Sequence, residues 1–185
     1  MSLEYAILGF LNYHPYSGYD LKKVFDVSIR HFWPADQSQI YRTLGRLTEQ
    51  GWVKVKVVEQ TDRPDRKVYS ITSAGRTALR DWLTAAMPHQ EARSAALIQV
   101  FFAGQLTDEE ILAKFAEATQ GMRQVLERYE QVPHEIEDYV TEIGSPREEF
   151  FWMLTLELGI REMKTQIEWM ESVMQRIRNK KHPSK

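Results

Sequence analysis

The chain has 185 residues, 43% of them hydrophobic and 27% charged, which suits one folded domain or two small ones and excludes wholesale disorder. It has no cysteine, hence no disulfide framework, thiolate zinc site or cysteine nucleophile, and a reducing, cytoplasmic setting is expected. The net charge of −2 hides an asymmetry: residues 1–88 carry 12 Lys/Arg against 9 Asp/Glu, and residues 89–185 carry 12 against 17.

Read from its start, MSLEYAILGF shows no basic stretch and no small-residue cleavage site, so no signal peptide is expected. No apolar run approaches the roughly 20 residues of a membrane span, so no membrane partner is expected either. Leu3, Ala6, Ile7, Phe10 and Leu11 recur at helical spacing and predict a short amphipathic helix ended by His14-Pro15. Ser17 opens S-G-Y-D, where its hydroxyl caps a second helix and Asp20 favours the start. That helix carries Tyr19, Leu21, Val24 and Phe25 and breaks at Trp33-Pro34.

A third helix is predicted over 37–50. Ile40, Leu44 and Leu47 share its apolar face, and Gln39, Arg42, Thr43 and Arg46 share a polar one. Gly51 is the expected left-handed stop. Trp52–Val58 then alternates, with Val53, Val55 and Val57 on one side and Lys54 and Lys56 on the other. Lys67–Ile71 alternates too, with Tyr69 and Ile71 on one face. Arg63, Arg66 and Lys67 cluster around Pro64 at the turn between the strands, interleaved by Asp62 and Asp65. Three helices followed by a hairpin give the order of a winged helix-turn-helix.

Thr72 or Ser73 caps a fourth helix over 74–87, and Met87-Pro88-His89 is the expected boundary between a domain at 1–88 and another at 89–185. Everything beyond reads as helix. A short apolar helix spans 92–102, and the capping box of Thr107 with Glu110 opens a longer one to about 132, interrupted by Pro133. A further helical piece covers 134–143. Ser145, Pro146 and Glu148 then open a last helix to about 179, about 50 Å long at 1.5 Å per residue. In it Phe151, Leu154 and Leu158 fall on one side while Met163, Ile167, Met170 and Met174 drift to another. A helix apolar on two sides needs two neighbours, and a second subunit is the natural one. The expected fold class is mainly α with a small β-hairpin wing: a winged helix-turn-helix plus a C-terminal helical dimerisation domain.

Arg, Gln, Ser and Thr are the side-chain types that read base edges in the major groove, which admits an α-helix. Gln39, Arg42, Thr43 and Arg46 therefore point to DNA contact, against the plainer reading of a solvated helix face. Arg63, Arg66 and Lys67 suit the phosphate backbone or the adjacent minor groove. Tyr41 lies off the polar face and is given a mixed role, packing on the second helix and offering its hydroxyl to phosphate. Ser38 either caps the helix or touches phosphate. Trp152, Trp169, Phe101, Phe102, Phe150 and Phe151 line either an apolar effector pocket or, more simply, a core and dimer interface. The five histidines form no HxxxH or HExxH pair, and there is neither a phosphate-binding glycine loop nor a nucleophile elbow. No metal, no cofactor and no enzyme activity are expected. A winged helix used for protein–protein contact without DNA is the alternative.

The chain resembles the PadR-type transcriptional regulators, in the class with a short helical C-terminal domain similar to that of virulence activators. The resemblance lies in AILGFL, S-G-Y-D-L at Ser17–Leu21, Q-I-Y-R-T-L-G-R-L at Gln39–Leu47, E-Q-G-W-V at Glu49–Val53 and R-K-V-Y-S-I-T-S-A-G-R at Arg66–Arg76. It covers the first 85 residues or so by motif and the rest by length and helicity. It implies a homodimeric repressor that binds an inverted repeat in double-stranded DNA and dimerises through its C-terminal helices. Some members respond to phenolic acids or other small hydrophobic effectors. Carried over, the third-helix role falls on Ser38, Gln39, Tyr41, Arg42, Thr43 and Arg46, and the wing role on Arg63, Arg66 and Lys67. Gly45 departs from good helix composition at a cost of about 1 kcal/mol relative to Ala, which close packing or close backbone approach would explain.

Overall fold

The computed structural model describes residues 2–59, 65–88 and 94–180, the side chain of Asp138 excepted. It divides into two compact units, one of Met1–Met87 with Glu135–Ser145 and one of Pro88–His134 with Pro146–Lys185. The first unit holds α1 (Ser2–Tyr13), β1 (Tyr16–Ser17), α2 (Gly18–Val27), α3 (Gln37–Glu49), β2 (Val53–Val58), β3 (Arg66–Ile71) and α4 (Ser73–Thr84). The expected helix order and wing are present, with one addition. Tyr16 and Ser17 form a third strand against β3, in register with Tyr69 and Val68, so the sheet order is β1-β3-β2. Two residues are too few to show alternation in a sequence.

Much of the core is built where the periodicities predicted it, with Leu8 of α1 as an addition. Ile7 and Leu8 of α1, Leu21 and Phe25 of α2, and Ile40, Leu44 and Leu47 of α3 are all but fully buried. Val53, Tyr69 and Ile71 close the sheet side. Val55 and Val57 continue the pattern of Val53 yet are 42% and 51% exposed, because the hairpin runs out past the body of the unit. Gly51 takes φ 73°, the left-handed turn that returns the chain from α3 to β2. The Trp52 amide then donates to Leu47 O at 3.0 Å, and the Thr72 amide donates to Trp52 O at 2.9 Å, tying α3, β2 and the start of α4 together.

The second unit holds α5 (Ala95–Phe101), a 3-10 turn (Ala103–Gln105), α6 (Asp108–Glu135) and α8 (Pro146–Arg178). The capping box forms as read: the Thr107 amide donates to Glu110 Oε2 at 2.8 Å and the Glu110 amide to Thr107 Oγ1 at 3.3 Å. Pro133 does not end α6, which runs through it to Glu135. Near a helix end a proline removes few hydrogen bonds, so the cost stays local. Thr119 and Phe115 of α6 meet Met170 of α8, and Glu130 pairs with Lys164 at 3.3 Å, so the two helices run antiparallel. On α8, Ile167, Met170 and Met174 are buried while Phe151, Leu154 and Leu158 are 42–58% exposed. These are the two apolar sides read from the sequence.

The remaining helix, α7 (Glu137–Ile143), joins α6 to α8 in sequence but packs in the first unit. Where the sequence placed everything beyond 88 in one second domain, the chain thus returns to the first. Ile136 is 3% exposed, and the Tyr139 ring meets Phe10 edge-on at 6.5 Å.

Candidate nucleic-acid interface

The α3 helix starts at a cap made by its own first turn. Asp36 is extended (φ −82°, ψ 164°), and its carboxylate accepts from the Gln39 amide at 2.7 Å. Gln39 Oε1 accepts in return from the Asp36 amide at 3.0 Å, completing a capping box. The Ser38 hydroxyl donates to Asp36 Oδ1 at 2.7 Å. Ser38 therefore braces the cap but does not supply it, and the carbonyl end of the Gln39 amide is engaged by the backbone. The hydrogen bonds from the Gln39 amide and the Ser38 hydroxyl hold the Asp36 carboxyl below its ordinary value, with a smaller contribution from the charge of Arg42.

The polar face read from the sequence divides in three. Arg42 is exposed, and among the described residues no side chain is hydrogen-bonded or ion-paired to its guanidinium. Arg46 Nε lies 2.8 Å from Glu4 Oε1, with Glu4 only 6% exposed, so part of this guanidinium holds a buried carboxylate of α1. Thr43 is 4% exposed, which removes it from the outward face. It sits one residue from Leu44, on the edge of the buried stripe, where 100° per residue turns a small polar side chain inward. At Gly45 no atom comes within 4 Å of where a Cβ would stand, so packing within the chain does not account for it.

Tyr41 packs on the second helix, the structural half of the role expected of it. It is 42% exposed, yet its ring lies so close over Gly18 that a Cβ there would stand 2.4 Å from Tyr41 Cε1. Next to Gly18, Ser17 caps α2: its oxygen accepts from the Asp20 amide at 3.2 Å and its hydroxyl donates to Asp20 Oδ2 at 2.6 Å. Arg66, at the turn end of the wing, is ion-paired to the same Asp20 oxygen. Burial alone would raise the Asp20 carboxyl, but the hydrogen bonds from Ser17 and Arg66, with the Arg66 charge, bring it below its ordinary 3.8. Because the folded value is the lower one, the pair stabilises the fold fully above 3.8 and loses that contribution as pH falls through the folded value. Asp20→Asn is therefore expected to cost less than about 1 kcal/mol near neutrality, as for a partly exposed pair. The difference from the parent should shrink in urea melts taken below pH 3.8.

The wing register splits its cations. Lys54 pairs with Ser70, Lys56 with Val68 and Val58 with Arg66, which puts Lys54, Lys56 and Arg66 on one face. Lys67, opposite Val57, is on the other. Arg63, with the turn it was assigned to, lies outside the described residues. Tyr19, one of the apolar positions of α2 in the sequence, faces outward. That ring is 56% exposed and carries the Lys23 amine 4.6 Å above its centroid. An aromatic directly after a capped glycine, one turn ahead of a lysine, was the available signal. Lys54 and Lys56 were read only as the polar side of a strand, and both are exposed.

In the second unit, α5, the 3-10 turn, α6 and α8 surround a cavity of about 290 Å³. Val100, Phe102, Ile111, Phe115 and Met170 line it, with Lys114 as the cation among them. Of the aromatic residues singled out in the sequence only Phe102 is on that wall; Phe101, Phe150 and Phe151 are exposed, and Trp169 packs on Phe115 at 5.9 Å between centroids. Among the described residues no group of three or more His, Cys, Asp or Glu is placed to hold a metal ion, and no helix is long and apolar enough to cross a membrane.

The fold is shared with known proteins. The model of the transcriptional regulator PadR-like family matches residues 7–81, and that of the virulence activator alpha C-terminal family matches residues 92–178. The negative transcriptional regulator PadR of Bacillus subtilis is 27% identical over 176 residues, covering 95% of this chain and 97% of its own. The crystal structure of Bacillus subtilis PadR in complex with operator DNA superposes with a TM-score of 0.83 at 28% identity, over 96% of this chain and 99% of that one. The same protein in complex with p-coumaric acid gives 0.75 at 27% identity, over 95% and 94%.

Proposed function

The chain belongs to the PadR-like family of DNA-binding transcriptional regulators, and from that premise we propose that it acts as a cytoplasmic homodimeric repressor on an inverted-repeat operator. The observation that carries this reading is the exposed Arg42 on a capped helix, flanked by Tyr41 and by a wing with Lys54, Lys56 and Arg66 on one face. Arg42 is the base reader; Gln39 supports it from the first turn, and the remaining guanidinium nitrogens of Arg46 reach the same groove. Arg63, Arg66 and Lys67, with Lys54 and Lys56, contact phosphate or minor groove. The unit built on 1–88 is the DNA-binding domain, and the helices beyond it form the dimer, with the exposed Phe150, Phe151, Leu154 and Leu158 of α8 as its apolar seam.

Selection of bound duplex from a random pool at physiological salt tests the reading. A palindromic winner with half-sites one DNA turn, about 34–36 Å, apart is expected, and its affinity should fall steeply with added salt. A winner without symmetry, or binding indifferent to salt, would overturn it. Gly18→Ala gives a local test. The added methyl cannot share space with the Tyr41 ring, but a half-exposed ring can swing aside, so stability should change by no more than about 1 kcal/mol. Operator affinity should nonetheless fall about tenfold, the worth of roughly 1.4 kcal/mol from a phenol–phosphate hydrogen bond. Release by a small hydrophobic or phenolic effector completes the proposal, and the cavity beside Phe115 and Lys114 supports it as a site of suitable size and lining. Addition of p-coumaric acid to the operator complex, with and without Lys114→Ala, would measure it.

A further inference from the structure

We propose that α7 is a latch whose seating on β1 sets the posture of the DNA-reading corner. The helix is a seven-residue piece (Glu137–Ile143). It is the chain's own connection between α6 and α8, so any displacement of the facing ends of those helices pulls on it. Among the described residues, side chains toward the α1–β1 junction help to seat it in the first unit. Ile136 is 3% exposed. The Tyr139 ring packs on Phe10, and its buried hydroxyl faces the buried hydroxyl of Tyr16. Glu142 Oε1 lies 3.4 Å from His14 Nδ1, and the His14 ring stands edge-on to Tyr16 at 4.1 Å.

What makes this seating consequential is where Tyr16 leads. It is one of the two residues of β1 and pairs with Tyr69 of β3. The other, Ser17, caps α2 and hydrogen-bonds Asp20, and Asp20 holds Arg66 at the turn end of the wing. Gly18 follows directly and supports the Tyr41 ring of α3. A shift of β1 therefore reaches the wing through its pairing with β3 and through the Asp20 carboxylate, and the recognition helix through the Tyr41 ring. A two-residue strand with neighbouring residues committed on both sides is a small element to move. Burial first, and the facing phenol second, push the Tyr139 hydroxyl well above its ordinary range, so the Tyr139 part of the latch is a neutral, packed contact.

This rests on the DNA-reading assignment above, and the first measurement is made without DNA so that the two stand or fail separately. Amide hydrogen exchange is followed in the full chain for the parent, Tyr139→Phe and Glu142→Gln. Tyr139→Phe removes only the hydroxyl and Glu142→Gln changes a side chain that is 61% exposed, so neither threatens folding. The latch requires exchange at residues 16–20 and 66–70 to rise at least threefold in Tyr139→Phe and in the double variant, with residues 43–47 of α3 unchanged. Faster exchange in α7 alone would overturn it. So would a uniform rise that includes α3, which is a loss of stability and not a coupling. The second measurement is affinity for the selected operator in a double-mutant cycle of Tyr139→Phe with Arg66→Ala. The two losses should fall short of the product of the single effects by at least threefold, and independent effects would overturn the path through Asp20. If the parent bound no DNA while the exchange coupling held, the functional reading would fail and the latch would stand.

Discussion

Gly75→Ala is expected to be the most disruptive single methyl group that can be added to the first unit. Gly75 is the third residue of α4, where Gly to Ala would ordinarily stabilise a helix by about 1 kcal/mol. Here the new Cβ would stand 2.2 Å from the carbonyl oxygen of Trp52 and 2.8 Å from Ile71 Cγ1. That carbonyl cannot retreat. It accepts from the Thr72 amide at 2.9 Å and from the Thr72 hydroxyl at 3.1 Å, while the Trp52 amide is bonded to Leu47 O and the next residue, Val53, is paired with Ile71. Moving it would open the junction of α3, β2 and α4 together. Overpacking a filled site costs typically 1–3 kcal/mol and more where backbone must shift, so a net loss of about 2 kcal/mol or more is expected. A drop in thermal midpoint of several degrees in a calorimetric scan would confirm it; a midpoint at or above that of the parent would show that α4 can slide.

Arg42→Ala and Arg46→Ala should part company. Loss of Arg42 removes an exposed guanidinium that no side chain among the described residues holds, so stability should stay within about 0.5 kcal/mol of the parent. Operator affinity should fall by about 5- to 150-fold, the range of about 1–3 kcal/mol for a base-reading arginine. Loss of Arg46 strips the partner from Glu4, whose carboxylate is then buried without its cation. That is expected to cost about 1–3 kcal/mol of fold stability in urea titrations, in addition to any loss of DNA binding. Glu4→Gln in the Arg46→Ala background should recover part of the stability and none of the affinity. Equal effects of the two arginine variants on both measurements would mean that the division of the polar face is wrong.

That division marks where the sequence stopped being informative. Periodicity placed Gln39, Arg42, Thr43 and Arg46 on one polar face because it averages over 100° steps and is blind to what lies opposite. Thr43 turned out buried because it borders Leu44 and Leu47, and Arg46 is claimed by a glutamate more than forty residues earlier in the chain. The wing had the same fate. Arg66 and Lys67 adjoin in sequence, so they read as one basic cluster, yet a strand sends neighbours to opposite faces, and Arg66 is anchored to Asp20. Exposure of Tyr19, similarly, depends on which face of a ten-residue helix finds a neighbour.

By itself the sequence determined most of what depends on near neighbours along the chain, the Asp36 cap of α3 and the run of α6 through Pro133 excepted. The first three helices and the hairpin come from apolar spacing, the caps from Ser17, Thr72 and Thr107, the turn at Gly51 from its freedom at positive φ, and the two-sided α8 from its drifting apolar stripe. Only the tertiary structure decided what depends on distant partners. It paired Arg46 with Glu4, set Tyr41 over Gly18, added β1 to the sheet and brought α7 back to the first unit. The physical reason is range. Helix and strand patterns are written by interactions within four residues or across one hairpin, whereas a buried ion pair or a ring over a glycine is selected by the packing of the whole unit.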